Sequence, residues 1–406
     1  MGRPSVLFYC QHSLGMGHLV RSLALAGGLS ASFRVLLLNG GPLPKGIRLP
    51  AGVEVIDLPP LGLDSGGELV SRDRRRTVGR ARALRRGIIL KTFRALRPEV
   101  LFIELFPFGR KKFADELMPL LEEARGPGPT RPLVVCSLRD ILVGRREEQE
   151  KHDERAVRVA NDYFDAVLVH SDPEFARLEE SFQPRTPLGI PVRYTGFVLP
   201  DRGAKQITPA RLARKVVVSA GGGLVGERLL RTAVESHALL RRGDDVETKV
   251  IAGPFLPDEA WQSLRAGARG QKGLRLCRFV PDLVEELRTA VASVSQCGYN
   301  TALDILRARV PALVVPFAGG AEDEQSKRAR RLERLGALRV LEEEQLSAPR
   351  LAEEIRALSR FEPRTLELDL DGARNAARIL EEMTRAGRTR RVSAREGKRV
   401  AREAHV

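Results

Sequence analysis

Eleven short apolar runs recur along the chain with helical patterns between them, and this alternation leaves few folds open. In the first half they lie at 5–10 (SVLFYC), 33–38 (FRVLLL), 53–58, 99–105, 132–137 and 165–170. In the second half they lie at 215–220 (KVVVSA), 247–253, 274–279, 290–296 and 310–316. Runs that are β-branched and apolar on both faces belong in parallel sheets covered by helices. A polar stretch with proline and glycine, LPDRGAKQITPAR at 199–211, separates the halves. Each half opens the same way, with a strand, a glycine cluster and a helix: Gly15 and Gly17 in the first, Gly221, Gly222, Gly223 and Gly226 in the second. At 406 residues the chain exceeds one ordinary core. The expected fold class is therefore α/β, with two Rossmann-like domains, 1–198 and 214–365, facing a cleft and joined by a linker at 199–213. Residues 366–385 hold a last helix, DGARNAARILEEM at 371–383 with Asp371 as N-cap, expected to pack back across the boundary. Residues 386–406 lack periodicity and are expected to form a basic, disordered tail.

The net charge of +16 is unevenly placed. Residues 72–97 carry eleven Arg or Lys against one Asp, and 386–406 carry seven against two Glu, so these segments supply +10 and +5 of the total. With Ile88, Ile89, Leu90 and Phe93 among its arginines, 72–97 fits an anionic membrane surface or an anionic acceptor, against the plainer reading of a solvated face. Nucleic acid is not expected, because neither an aromatic stacking platform nor finger spacing accompanies the charge. No apolar run approaches the roughly 18–20 residues of a membrane span, and the first residues read as a strand rather than a signal peptide. Cys10, Cys136, Cys277 and Cys297 are scattered without metal or redox spacing, as buried small hydrophobes of a reducing compartment would be. A cytoplasmic protein is expected, with contact at the inner face of the plasma membrane as an extension of that reading.

Ligands of doubly wound sheets bind beyond the carboxyl ends of the strands, at the switch point, so both glycine clusters should meet one cleft. Gly221, Gly223 and Gly226 satisfy Gly-x-Gly-x-x-Gly after a strand, but the next strand ends VIAGPF, without the carboxylate a dinucleotide ribose needs. The first cluster, GMGH, lacks the Lys-Ser/Thr of a P-loop. The stretch 279–338 is more specific. A strand ends at Ser295-Gln296, and Gly298 opens a helix whose first turn carries Asn300 and Thr301. Asp304 follows at i+3 from Thr301, on the same face. Backbone amides and a hydroxyl there suit a diphosphate, and the carboxylate suits two ribose hydroxyls. Glu324 and Gln325 stand near another helix start after the strand VPALVVPF, placed to bond sugar hydroxyls. Taken singly, each is also explained as a cap or a first-turn carboxylate.

Phe279-Val280, SQCGYNTALD, PALVVPF and EDEQSKRA, in this order, resemble the C-terminal motif of the family-28 nucleotide-sugar glycosyltransferases of the GT-B fold, the group containing the N-acetylglucosaminyltransferase that completes lipid II. The resemblance implies that the backbone around Phe279 and Val280 holds the base, usually uracil in this group, and that Asp304 takes the ribose in place of the family's Glu. It also implies that Gly222, Gly223, Gly298, Asn300 and Thr301 face the diphosphate and Glu324 with Gln325 the sugar. The expected reaction moves a hexosyl group from a UDP-type donor to a hydroxyl acceptor, anionic or lipid-linked, with inversion. The first loop departs from the family, which has more glycine followed by proline; Gly-x-Gly-His-x-x-Arg is also similar to related enzymes that hydrolyse nucleotide-sugars. Glu324 stands where the family has glutamine. A hydrolase or epimerase, and an inactive nucleotide-sugar-binding protein, are the rival readings.

The base has two candidates. His18 lies at a helix N-terminus, which disfavours imidazolium and keeps the ring neutral. Glu104, closing the strand of EVLFIEL, is the other, unless it only pairs with Arg110. Gly15 and Gly17 would let the loop before His18 approach the donor. His170, at a strand end, is a weaker possibility. Helix amides can stabilise a departing diphosphate unaided, and Asp369-Leu370-Asp371 directly precedes a helix and reads as a cap, so no metal and no cofactor are expected.

Overall fold

The computed structural model describes residues 3–12, 17–43, 47–64, 67–127, 131–144, 148–200, 214–242, 245–317 and 323–403, with side chains to 387. Gly15 and linker residues 201–213 lie outside the described residues.

The N-terminal half contributes β1 (Ser5–Cys10), α1 (Gly17–Leu29), β2 (Arg34–Asn39), β3 (Val53–Asp57), a hairpin of β4 (Leu61–Leu63) and β5 (Leu69–Ser71), α2 (Val78–Leu96), β6 (Val100–Glu104), α3 (Ala114–Arg125), β7 (Leu133–Arg139), α4 (Gln149–Tyr163), β8 (Ala166–His170) and β9 (Val192–Tyr194). Seven of these strands form one parallel sheet, ordered β3-β2-β1-β6-β7-β8-β9. The C-terminal half contributes β10 (Lys215–Ser219), α5 (Glu227–Leu240), β11 (Glu247–Ile251), α6 (Asp258–Gly267), β12 (Leu274–Cys277), α7 (Leu283–Arg288), β13 (Ala292–Ser295), α8 (Tyr299–Ala308), β14 (Ala312–Val314), α9 (Glu324–Arg334), β15 (Arg339–Val340), α10 (Ala348–Ala357) and α11 (Gly372–Glu403). Its parallel sheet is ordered β12-β11-β10-β13-β14-β15. All eleven apolar runs are strands. Four strands lie outside the runs: β4 and β5 of the hairpin, and β9 (VRY) and β15 (RV), sheet edges too short to show a period.

In both sheets the order reverses beside the first strand, between β1 and β6 and between β10 and β13. The chain leaving those four strands builds the cleft, as the switch-point rule requires. Every residue of β1 and β6 is buried, so the side chains at their ends are set by a rigid core.

Two expectations are corrected. In α2 the residues Ala81, Arg85, Ile89 and Phe93 form the buried stripe, and Ile88 and Leu90 also pack against the core, so this apolar set is not a membrane-facing one. Arg85 is wholly buried too, bonded to Glu116 at 2.6 and 2.7 Å and to the carbonyls of Gly40 and Pro59. What remains exposed is a basic face with Arg72, Arg74, Arg75, Arg76, Arg80 and Arg86. Nor are residues 386–403 irregular: α11 continues to Glu403 through a proline-free stretch rich in Ala, Arg and Glu, all good helix formers, and residues 404–406 lie outside the described residues. The first turns of α11 lie on α1, where Ala376, Ala377 and Leu380 share a buried cluster with Leu19, Leu23 and Ala26. The helices come so close that a Cβ on Gly28 would stand 2.8 Å from Ala373.

Candidate active site

His18 is the second residue of α1, and Glu104 the last of β6. Their side chains meet, with His18 Nδ1 2.5 Å from Glu104 Oε1. An ionised carboxylate only accepts, so Nδ1 carries the proton and Nε2 keeps its lone pair. Arg21, one turn further along α1, donates to the same Oε1 at 2.7 Å, and Arg110 reaches Oε2 at 3.4 Å. Glu104 is thus fully buried under donors and has no place in the cleft lining, which removes it as a base candidate; it positions and orients His18 instead. Burial opposes its ionisation, yet His18, Arg110 and Arg21 outweigh that cost and hold the carboxyl well below the usual range. Burial pushes His18 down to about 3, against the pull of Glu104, so the imidazole is neutral at physiological pH. The turn that delivers Arg110 is strained, because Leu105 and Arg110 both sit in the left-handed region, at φ 65° and 60°. Non-glycine residues held there cost about 1–3 kcal/mol each and cluster at functional sites.

His170 is not a participant. It is fully buried, with Nε2 2.7 Å from Ser137 Oγ and Nδ1 2.8 Å from Thr195 Oγ1, and burial holds it well below its usual value. Asp369 accepts hydrogen bonds from the Asp371 amide and Asn375 Nδ2, both at 2.9 Å, so the Asp-x-Asp string is engaged in starting α11.

Across the cleft the loop after β10 and the start of α8 make the second wall. Gly221 has φ 58°, and a Cβ there would face Thr301 Oγ1 at 3.8 Å, so glycine loop and helix start look at one another. Gly223 has φ 91°, and its missing Cβ lets the loop press on the Ala252 carbonyl, where a side chain would stand 2.5 Å away. Gly298 is the extended N-cap of α8, and nothing lies within 4 Å of where its Cβ would be. The first-turn amides of α8 have no intrahelical acceptor and open on this space. Asp304 is buried one turn on, and Phe279 is 43% exposed at the rim beside Val280. All of these except Ala252 line one cleft of about 2760 Å³, together with His18, Arg21, Arg110, Gly17, Gly222, Asn300, Glu324 and Gln325.

The two walls are tied together. Asn300 Nδ2 donates to the Gly17 carbonyl at 3.3 Å. Tyr299 enters the N-terminal domain, its hydroxyl accepting from the Val198 amide at 2.9 Å and donating to the His170 carbonyl at 3.0 Å. The guanidiniums of Arg21 and Arg328 lie 5.4 and 5.9 Å from its ring centre. Arg328 forms a buried two-point pair with Asp140 at 2.7 and 2.8 Å. Glu324 pairs with Arg139 at the end of β7. Gln325 spends its carbonyl oxygen on the amides of Cys297, at 3.1 Å, and Phe317, at 3.3 Å. The pair expected to face the sugar is therefore already partnered: Glu324 by the other domain and Gln325 by the backbone before α8 and after β14.

The sequence does not single out Arg21 or Arg139, and it offers Arg110 only as an ion-pair partner of Glu104, a contact the structure contains. Arg21 was legible, since i+3 from His18 is one helix face. Arg139 carries no local signal; only the sheet order brings its strand end to the site. The four cysteines are free, and three of them are buried.

Two parallel sheets whose switch points open on a shared cleft are the architecture of the GT-B glycosyltransferases. The calicheamicin glycosyltransferase CalG4 shares this fold at a TM-score of 0.55, with 18% identity over 98% of this chain and 99% of that one. Acinetobacter baumannii MurG shares it at 0.52, with 13% identity over 94% of this chain and 100% of that one. Within that class, residues 216–382 match the model of the glycosyltransferase family 28 C-terminal domain. A UDP-N-acetylglucosamine–N-acetylmuramyl-(pentapeptide) pyrophosphoryl-undecaprenol N-acetylglucosamine transferase of Alkalilimnicola ehrlichii is 31% identical over 180 residues, 44% of this chain and 48% of the relative. An uncharacterized glycosyltransferase of Methanopyrus kandleri is 31% identical over 169 residues, 41% of this chain and 45% of the relative. The matches span 38% to 54% of the length of the first relatives.

Proposed function

We propose that the chain is an inverting glycosyltransferase that moves a hexosyl group from a nucleoside diphosphate sugar, UDP-linked, to a hydroxyl acceptor, without a metal or other cofactor. The observation that carries this is the neutral His18, its Nε2 left available by the Glu104 contact, on one wall of a cleft whose other wall is the switch point of the half that matches the family-28 domain model. The base rests against Phe279 and Val280, and Asp304 accepts from the ribose. The diphosphate meets Gly221, Gly222, Thr301 and the α8 amides, and Glu324 faces the sugar. His18 Nε2 takes the acceptor proton, and the acceptor oxygen attacks the anomeric carbon opposite the diphosphate. The bond to the diphosphate breaks, its electron pair staying with the departing oxygen.

The acceptor is anionic or lipid-linked, in keeping with the relatives' printed acceptors and with Arg48, Arg72, Arg110 and Arg139 on the N-terminal wall. Among the described residues no helix is long and apolar enough to cross a membrane. We place the protein in the cytoplasm, with the exposed basic face of 72–97 against the anionic inner leaflet. Each basic residue near such a surface adds about 1 kcal/mol. Changing Arg72, Arg74, Arg75, Arg80 and Arg86 to Gln is expected to abolish binding to vesicles containing phosphatidylserine; unchanged binding and activity would remove the membrane from this reading.

The deciding experiment incubates the protein with a panel of nucleoside diphosphate sugars in EDTA, without acceptor, and follows donor binding by calorimetry and diphosphate release by mass spectrometry. Tight binding of one donor with slow release is expected. Rapid release without acceptor, lost in His18→Ala, would make the protein a hydrolase.

A further inference from the structure

Departure of a nucleoside diphosphate builds negative charge on its terminal phosphate, and the donor domain meets that charge with backbone amides and the Thr301 hydroxyl. A cation arrives from the other domain. Arg139 closes β7, lines the cleft and touches Glu324, the first residue of α9. Arg139 Nε is buried without a hydrogen-bond acceptor, so the donors of the guanidinium are not all spent on Glu324. The ground under it is rigid. Cys297, directly before the N-cap of α8, donates its N–H to Gln325 Oε1 at 3.1 Å, and its carbonyl accepts from Arg328 Nη1 at 2.8 Å. Arg328 is locked in turn to Asp140, the neighbour of Arg139. One network therefore fixes the backbone of Arg139 relative to the amides that receive the diphosphate.

We propose that Arg139 is the leaving-group cation of the reaction, held by Glu324 while the cleft is empty and turned to the terminal phosphate when the donor enters. This rests on the transferase reading. Glu324 then passes to the sugar hydroxyls, and the guanidinium, planar and permanently charged, takes two oxygens of the phosphate. As the bond from the anomeric carbon to the diphosphate oxygen breaks, the electron pair stays on that oxygen beside Arg139, while the acceptor proton moves to His18 Nε2. Because the cation belongs to the opposite domain, stabilisation of the leaving group draws on both domains at once.

Calorimetry in EDTA with uridine, UMP and UDP, and with the thymidine series beside it, tests the assignment in wild type, Arg139→Gln and Arg139→Lys. Loss of one charge-assisted phosphate contact predicts that Arg139→Gln weakens the diphosphate by about ten- to a hundredfold while the monophosphate and nucleoside stay within about twofold, with Lys intermediate. Unchanged monophosphate affinity also shows that the variant is folded. A parallel fall for monophosphate and diphosphate, or no fall at all, overturns the assignment and leaves the transferase reading standing. A wild-type protein that binds neither series overturns the donor reading, and this inference with it.

Discussion

At the switch point of the N-terminal sheet the working groups are side chains; at that of the C-terminal sheet most of them are backbone. Glu104, Arg21 and His18 form a charged knot at the end of β6, with the carboxylate and Arg21 sealed from solvent. The C-terminal wall offers Gly221, Gly223, Gly298 and the first turn of α8, with Asp304 behind them. Proton transfer needs one nitrogen held in one tautomer and one direction, which takes several side chains and the burial that fixes their charge states. Holding a diphosphate needs several donors converging on a bulky anion, and a glycine loop facing a helix start supplies them without side-chain ordering.

Substitutions should therefore separate by wall. Removing the base with His18→Gln should lower the rate of transfer by about a hundred- to ten-thousandfold while nucleoside diphosphate affinity is kept. A rate within tenfold of wild type would move the base elsewhere. Glu104→Gln should register in stability as well as rate, since Arg21 and Arg110 lose their counter-charge; urea unfolding should show a loss of about 3–5 kcal/mol. A loss that small surface substitutions also produce would break the picture of a sealed knot. On the other wall, Asp304→Ala should weaken nucleoside and nucleoside diphosphate alike by about tenfold or more, because it removes a bond to the ribose. Equal affinity in variant and wild type would take the ribose away from this residue.

Acid should distinguish the domains too. Burial lowers His12 to about 4 and His18 to about 3, and it also lowers His170; all three are in the N-terminal half. A histidine whose folded value lies below its unfolded one adds stability that is whole above pH about 6.5 and drains as pH falls toward the folded value, by at most about 1.4 kcal/mol per pH unit for each group. The urea midpoint should fall between pH 6.5 and 4.5, as measured by titration at a series of pH values, and hydrogen exchange should show the N-terminal half opening first. In His18→Gln the slope should be shallower. A flat midpoint over that range would contradict the neutral state of these rings.

How much of this was legible depended on how locally each feature is encoded. The strands were, because runs such as SVLFYC and KVVVSA are apolar on both faces and only a covered sheet buries both. The placement of His18 and Asp304 on the cleft was, because each stands at a fixed offset from a glycine turn. The role of Glu104 was not, since a carboxylate at a strand end reads as a base or an ion-pair partner until its neighbours are known. The apolar residues of α2 misled for a related reason: Ala81, Arg85, Ile89 and Phe93 recur at helical spacing, but spacing does not say which side of the stripe faces the core. Here Glu116 waits inside for Arg85 and turns that face inward.

By itself the sequence determined two wound α/β domains, the glycine turns that open each of them, and the residues expected to meet a nucleotide. Periodicity and turn chemistry are properties of neighbours along the chain, and they survive without knowledge of the rest. Only the tertiary structure decided what the charged groups do. Asp140 reaches Arg328 across 188 positions, His18 reaches Glu104 across 86, and Arg139 meets Glu324 from the opposite domain. Whether a carboxylate is a base, a brace or a latch depends on burial and on the nearest opposite charge, and neither quantity exists until the two sheets have closed on one cleft.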